Sequence, residues 1–90
     1  GKAQSKKDVS VWRVQIYLGS GKNSRAEAES TRNSFKTQYP EIDAEVLYHS
    51  PYFKVHVGIF KTRLEAESLK MKISGDFSKS WVVNEVIGKD

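Results

Sequence analysis

Apolar residues first alternate with polar ones, then recur every three to four positions, and this cycle runs through the chain twice. Trp12, Val14, Ile16 and Leu18 share one parity while Arg13, Gln15 and Tyr17 take the other, which predicts a half-buried strand. A turn follows at Gly19–Asn23. Ser24-Arg-Ala-Glu27 then has the spacing of a capping box, with Ser24 accepting from the Glu27 amide and the Glu27 carboxylate reaching back. The helix it opens should run to about Tyr39, because Pro40 cannot continue it, and should turn Ala28, Thr31, Phe35 and Tyr39 inward. Residues 44–49 read as a weaker strand, and Ser50-Pro51 as a short turn. From Tyr52 to Ile59 the alternation is clean, with Phe53, Val55, Val57 and Ile59 inward and Tyr52, Lys54 and His56 outward. Thr62-Arg-Leu-Glu65 is a second capping box, opening a helix whose inner stripe is Ala66, Leu69 and Ile73 and whose stop is Gly75. Trp81–Ile87 is the last strand.

The two cycles are copies of one unit. Residues 25–30 and 63–68 agree in five of six positions at an offset of 38, and Val14-Gln-Ile16 falls against Val55-His-Val57 at an offset of 41. A βαββαβ order with this symmetry predicts an α+β fold of the ferredoxin or RNP-like kind: a four-stranded antiparallel sheet with two helices on one face. The first and third strands, the most apolar and regular, belong at its centre. The organisation expected is a linker or tail over residues 1–10 and one domain over 11–88.

Composition narrows the function. The chain has 90 residues, 38% of them hydrophobic, and no cysteine, so disulfides and thiolate metal sites are excluded. No apolar run approaches the roughly 20 residues needed to span a bilayer, so the domain itself is not expected to insert in a membrane. The first ten residues lack the apolar stretch of a signal peptide, and any targeting segment is expected upstream of this fragment. The net charge is +4, but Lys2, Lys6 and Lys7 against Asp8 place half of it in the first ten residues. The remainder is a weak footprint for nucleic acid.

With both helices on one face, the other face of the sheet is open. It should present Arg13, Gln15 and Tyr17 from the first strand and Tyr52, Lys54 and His56 from the third. Tyr rings can lie on the apolar face of a sugar or base while amide and cationic groups bond at its edges. The same residues also fit cross-strand pairs that stabilise the sheet with no ligand. Catalysis is not indicated. His49 and His56 are the only histidines and have no cluster of further metal ligands around them, and the Glu pairs at 27 and 29 and at 65 and 67 fit helix first turns. No phosphate-binding glycine motif is present, and neither cofactor nor metal is expected.

Trp12-Arg-Val-Gln-Ile16 followed by a Ser-Arg-x-Glu-Ala helix start, and Tyr52-Phe-Lys-Val-His-Val-Gly58-Ile-Phe60 followed by Thr-Arg-x-Glu-Ala, resemble the SPOR domain of bacterial envelope proteins over about residues 11–87. The resemblance implies a noncatalytic module that binds peptidoglycan glycan strands stripped of their stem peptides, and a periplasmic place in the cell envelope, often at the septum. It also implies binding roles for Gln15, Tyr52 and Lys54 and for an apolar position near Val82, with Trp81 either in the core or on the platform. Tyr17, Arg13 and His56 join the candidate site from the open-face pattern. Stripping leaves a lactyl carboxylate, an anionic partner for Lys54 and Arg13. The sequence departs from the family in three places. Leu18 stands where a small polar residue can join the site, Tyr17 where glycine is common, and Lys54 where arginine is common. A protein–protein module on the same fold is the main alternative, ahead of an RRM-like nucleic-acid binder, whose third-strand segment would need glycines and paired outward aromatics that Tyr52-Phe-Lys-Val-His-Val lacks. The oligomeric state is not readable from the sequence.

Overall fold

A computed structural model describes residues 8–89. The elements are β1 (Asp8–Ser20), α1 (Ser24–Gln38), β2 (Ala44–His49), β3 (Tyr52–Phe60), α2 (Arg63–Ile73) and β4 (Trp81–Lys89). They form one antiparallel sheet in the order β2-β3-β1-β4, so the two most apolar strands are central, as their patterns required. β1 starts at Asp8, inside the stretch read as a linker end, and pairs there with the end of β4. The rest of that stretch, residues 1–7, lies outside the described residues.

α1 packs over β1, β2 and β3, and α2 over β1, β3 and β4. Between helices and sheet lies a core of Val14, Ile16, Ala28, Phe35, Val55, Val57, Ala66, Leu69 and Ile73. The Phe35 ring anchors it, 5.0 Å from the Tyr39 ring and 5.4 Å from that of Phe77. Thr31 is only half-buried, its hydroxyl donating to the Glu27 carbonyl oxygen. At the start of α2, Thr62 and Glu65 form the full capping box the sequence predicts. The corresponding box on α1 is absent. Asn23 occupies the N-cap without a side-chain bond, the Ser24 hydroxyl donates instead to the Gly21 carbonyl oxygen (2.7 Å), and Glu27 is engaged elsewhere. α2 ends at Ile73 with Ser74 as C-cap, and Gly75 is not in the left-handed conformation of a glycine stop.

Two β-bulges alter the strict alternation, and both re-aim side chains. On β1, Gln15 faces His56 but Tyr17 faces Val55, so one extra residue is accommodated and the parity inverts. Tyr17 therefore lies on the helix side, where its hydroxyl donates to Glu27 Oε1 on α1 (2.7 Å), while Leu18, expected in the core, emerges opposite Lys54 on the open face. On β3, Trp12 faces Phe60 and Val14 faces Val57, and Gly58 (φ +73°) takes up the extra residue. Ile59, expected inward, is exposed, and Phe60 packs on the core in its place.

Gly58→Ala should destabilise the domain by about 2 kcal/mol in urea unfolding. A left-handed φ costs a residue with a Cβ roughly 1–2 kcal/mol, and that Cβ would stand 2.5 Å from the Phe60 ring and 3.0 Å from Leu69 Cδ2. Partial withdrawal from water and the bond to Glu27 push the Tyr17 phenol up to about 12 from its ordinary 10.0. A raised folded-state value means that this contribution to stability is complete below pH 10 and is lost as pH rises through about 12. Phenolate absorbance of the wild type minus that of Tyr17→Phe should therefore show a midpoint near 12 rather than 10.0.

Candidate functional site

Cross-strand pairing defines what the open face carries, because directly opposed residues project to the same side. β1 contributes Arg13, Gln15, Leu18 and Ser20; β3 contributes Tyr52, Lys54 and His56. From the flanking strands come Glu45, Leu47 and His49 of β2 and Trp81, Val83 and Glu85 of β4. These side chains form two layers, one sunk against the sheet and one standing above it.

The lower layer is ionic. Arg13 is 1% exposed, and its guanidinium reaches every strand of the sheet. Nε donates to the carbonyl oxygen of Gly58 (2.7 Å), the residue at the β3 bulge, and Nη2 donates to the His56 carbonyl oxygen (3.3 Å). Nη1 donates to Glu45 Oε1 on β2 and to Glu85 Oε1 on β4 (3.3 Å). Arg13 is thus a structural cation whose donors are committed, which corrects its assignment as a ligand-binding residue. His56, 4% exposed, also belongs to this layer and is not a surface contact. Its Nδ1 lies 2.7 Å from Glu85 Oε1, and its Nε2 lies 3.0 Å from Gln15 Oε1. Burial lowers the His56 pKa from 6.5; Glu85 opposes that shift, while Arg13 and Lys54 add to it.

The upper layer is what a ligand would meet. Gln15 is half-buried and held by His56. Tyr52 (45% exposed), Leu18 (53%) and Trp81 (66%) stand free around it. Lys54 is half-buried, and its Nζ lies 3.4 Å from His49 Nδ1, so it remains the cation of the central strands that can meet an anion from solvent. Of the predicted residues, Gln15, Tyr52 and Lys54 come together on this surface. Tyr17 does not, because the bulge turns it beneath the sheet. Nor does Val82, which pairs with Val14 and packs on the helix-side core; Trp81, opposite Gln15, takes the platform position. Sequence reasoning missed Leu18, Leu47 and Val83 as open-face residues and Glu45 and Glu85 as the partners of Arg13. The spacing of three between Gln15 and Leu18 also explains why a residue at that offset can join the site: one bulge lies between them.

The surface is shallow. A concavity of about 550 Å³ lies elsewhere, between Ile42, the end of β3 and Leu69 of α2, on the helix side. A flat strip lined by rings and alkyl groups suits an extended strand laid across it better than an enclosed small molecule. Among the described residues no His, Asp or Glu cluster could hold a metal ion, and no helix is long and apolar enough to cross a membrane.

Removing Arg13 leaves the Glu85 carboxylate, only 14% exposed, without its guanidinium partner and empties a buried site that four hydrogen bonds now fill. Arg13→Ala should cost about 3 kcal/mol of unfolding free energy in urea. Glu45→Gln should cost less than about 1 kcal/mol, because the Glu45 carboxylate is half in water.

The comparisons with known proteins agree with this architecture. The solution structure of the peptidoglycan binding domain of the B. subtilis cell wall lytic enzyme CwlC superposes with a TM-score of 0.67 at 21% identity, over 88% of this chain and 94% of that one. Among curated proteins none matches. The family model of the SPOR domain matches residues 8–84, spanning both βαβ-type halves and the Gln15, Tyr52 and Lys54 positions, and the chain belongs to that family.

Proposed function

We propose that this chain binds peptidoglycan glycan strands, preferentially those stripped of stem peptides, on the open face of its sheet. It does so without catalysis, bringing a parent envelope protein to the bacterial cell wall or septum. One observation carries the reading: cross-strand register puts Gln15, Tyr52, Lys54 and Trp81 on one face of the sheet, and the β1 bulge adds Leu18 to it. The chemistry of each fits a bare glycan. Tyr52 and Trp81 offer rings to the apolar faces of the sugars, Leu18 adds alkyl surface on the strand between them, and Leu47 extends it on β2. Gln15 can bond hydroxyl or acetamido groups, and Lys54 a lactyl carboxylate that no peptide masks. The fold shared with the CwlC peptidoglycan binding domain supports the same ligand class. Because Arg13 is committed within the protein, the face offers a polyanion little beyond Lys54, which weighs against nucleic acid.

Purified sacculi with and without amidase treatment provide the test. Retention of the wild-type domain should rise with amidase treatment, and Gln15→Ala, Tyr52→Ala and Lys54→Ala should each lower affinity about tenfold, or 1.4 kcal/mol. Circular dichroism should show all three variants folded. Raising salt should weaken binding only mildly. Equal retention by wild type and variants, or no retention on either preparation, would sink the assignment.

A further inference from the structure

His56 lies beneath Gln15 with a side chain at each ring nitrogen. Nδ1 is 2.7 Å from Glu85 Oε1, and Nε2 is 3.0 Å from Gln15 Oε1. A carboxylate only accepts hydrogen bonds, so Glu85 keeps a proton on Nδ1. The state of Nε2 then governs Gln15. When Nε2 carries a proton it donates to the amide oxygen, and the NH2 group faces outward. When Nε2 is bare it accepts, and two acceptors cannot face each other at hydrogen-bond distance. The amide must then turn its NH2 toward the ring and its oxygen outward. The two ends of the amide are nearly isosteric, and exchanging them takes a half-turn about the terminal torsion with no movement of the backbone.

We propose that His56 is a positioning residue of the binding face, whose protonation decides whether Gln15 offers the ligand a donor or an acceptor. The consequence for binding rests on the glycan reading above; the coupling of the two side chains does not. The groups packed around the ring are Arg13 and Gln15 on β1, Glu45 on β2, Lys54 on β3 and Glu85 on β4. Burial, Arg13 and Lys54 disfavour the imidazolium while Glu85 favours it, with burial the largest of these effects. With its pKa held below 6.5 the ring is neutral at neutral pH and the Gln15 amide turns its oxygen outward; the arrangement in the structure, with Oε1 toward Nε2, is that of the protonated ring. Acidification turns the NH2 group outward and adds a positive charge beneath it, and both changes favour a carboxylate-bearing strand.

Binding of soluble peptide-free glycan should accordingly strengthen as the pH falls below 6.5 and through the lowered His56 pKa, by about tenfold once the ring is fully protonated, and by linkage the ligand should raise that pKa by about one unit. His56→Gln keeps hydrogen-bonding capacity toward Gln15 without a titrating group, and its binding should be independent of pH. His49→Ala removes the second imidazole, beside Lys54; whatever its affinity at neutral pH, strengthening on acidification should persist in that variant. In the free domain, NMR should show the Gln15 side-chain amide resonances moving with the His56 ring nitrogens at one shared midpoint. Gln15 resonances that ignore the His56 titration, or an unchanged pH profile in His56→Gln, would overturn the proposal. Wild type that binds no glycan at any pH while Gln15 still tracks His56 would remove the ligand and leave the coupling established.

Discussion

The buried guanidinium of Arg13 is the constraint around which the sheet is organised. One side chain on β1 bonds to β2 through Glu45, to β3 through two carbonyl oxygens and to β4 through Glu85. A charge withdrawn from water is costly unless its donors are met, so each of those acceptors has to be in place. This requirement reaches into the backbone. The carbonyl oxygen that accepts from Nε belongs to Gly58, where the β1–β3 register shifts and the chain takes a left-handed φ that favours glycine. The conformation of Gly58, the position of Phe60 in the core and the place of Arg13 are therefore one feature seen from three sides.

That arrangement also explains why the face opposite the helices is not merely a wetted surface. Its lower layer of Arg13, Glu85 and His56 is hydrogen-bonded throughout, and no buried side-chain polar atom is left unsatisfied among the described residues. Exposed rings and alkyl groups rest on this layer at positions set by cross-strand register. Gln15 belongs to both layers, bonded below through His56 and open above.

Much of the fold was legible in the chain. The two periods, the repeat at offsets of 38 and 41 and the second capping box led to the element order, the central strands and most of the core. What escaped reading was whatever broke a period or spanned the chain. A strict alternation contains no extra residue, so the bulges exchanged the sides of Tyr17 and Leu18 and of Ile59 and Phe60. The partners that bury Arg13 lie 32 and 72 residues away, and nothing local announces them. Gln15, Tyr52 and Lys54 were found because none of them lies beyond a bulge from the residues that set its parity. Val82 was misplaced because the register of β4 follows from its pairing with Val14, a tertiary fact.

Asp8 pairs with Lys89, so the strands carrying the two ends of the described chain run side by side at one extremity of the sheet. The Gln15–Trp81 pair lies seven residues along β1 from there, about 24 Å at the rise of an extended strand. Segments joined at either end would leave from a common point, remote from the ring-lined strip and directed away from it. The two ends of the described chain thus lie at one end of the β1–β4 pair and the Gln15–Trp81 platform at the other. A segment joined there need not cross the platform.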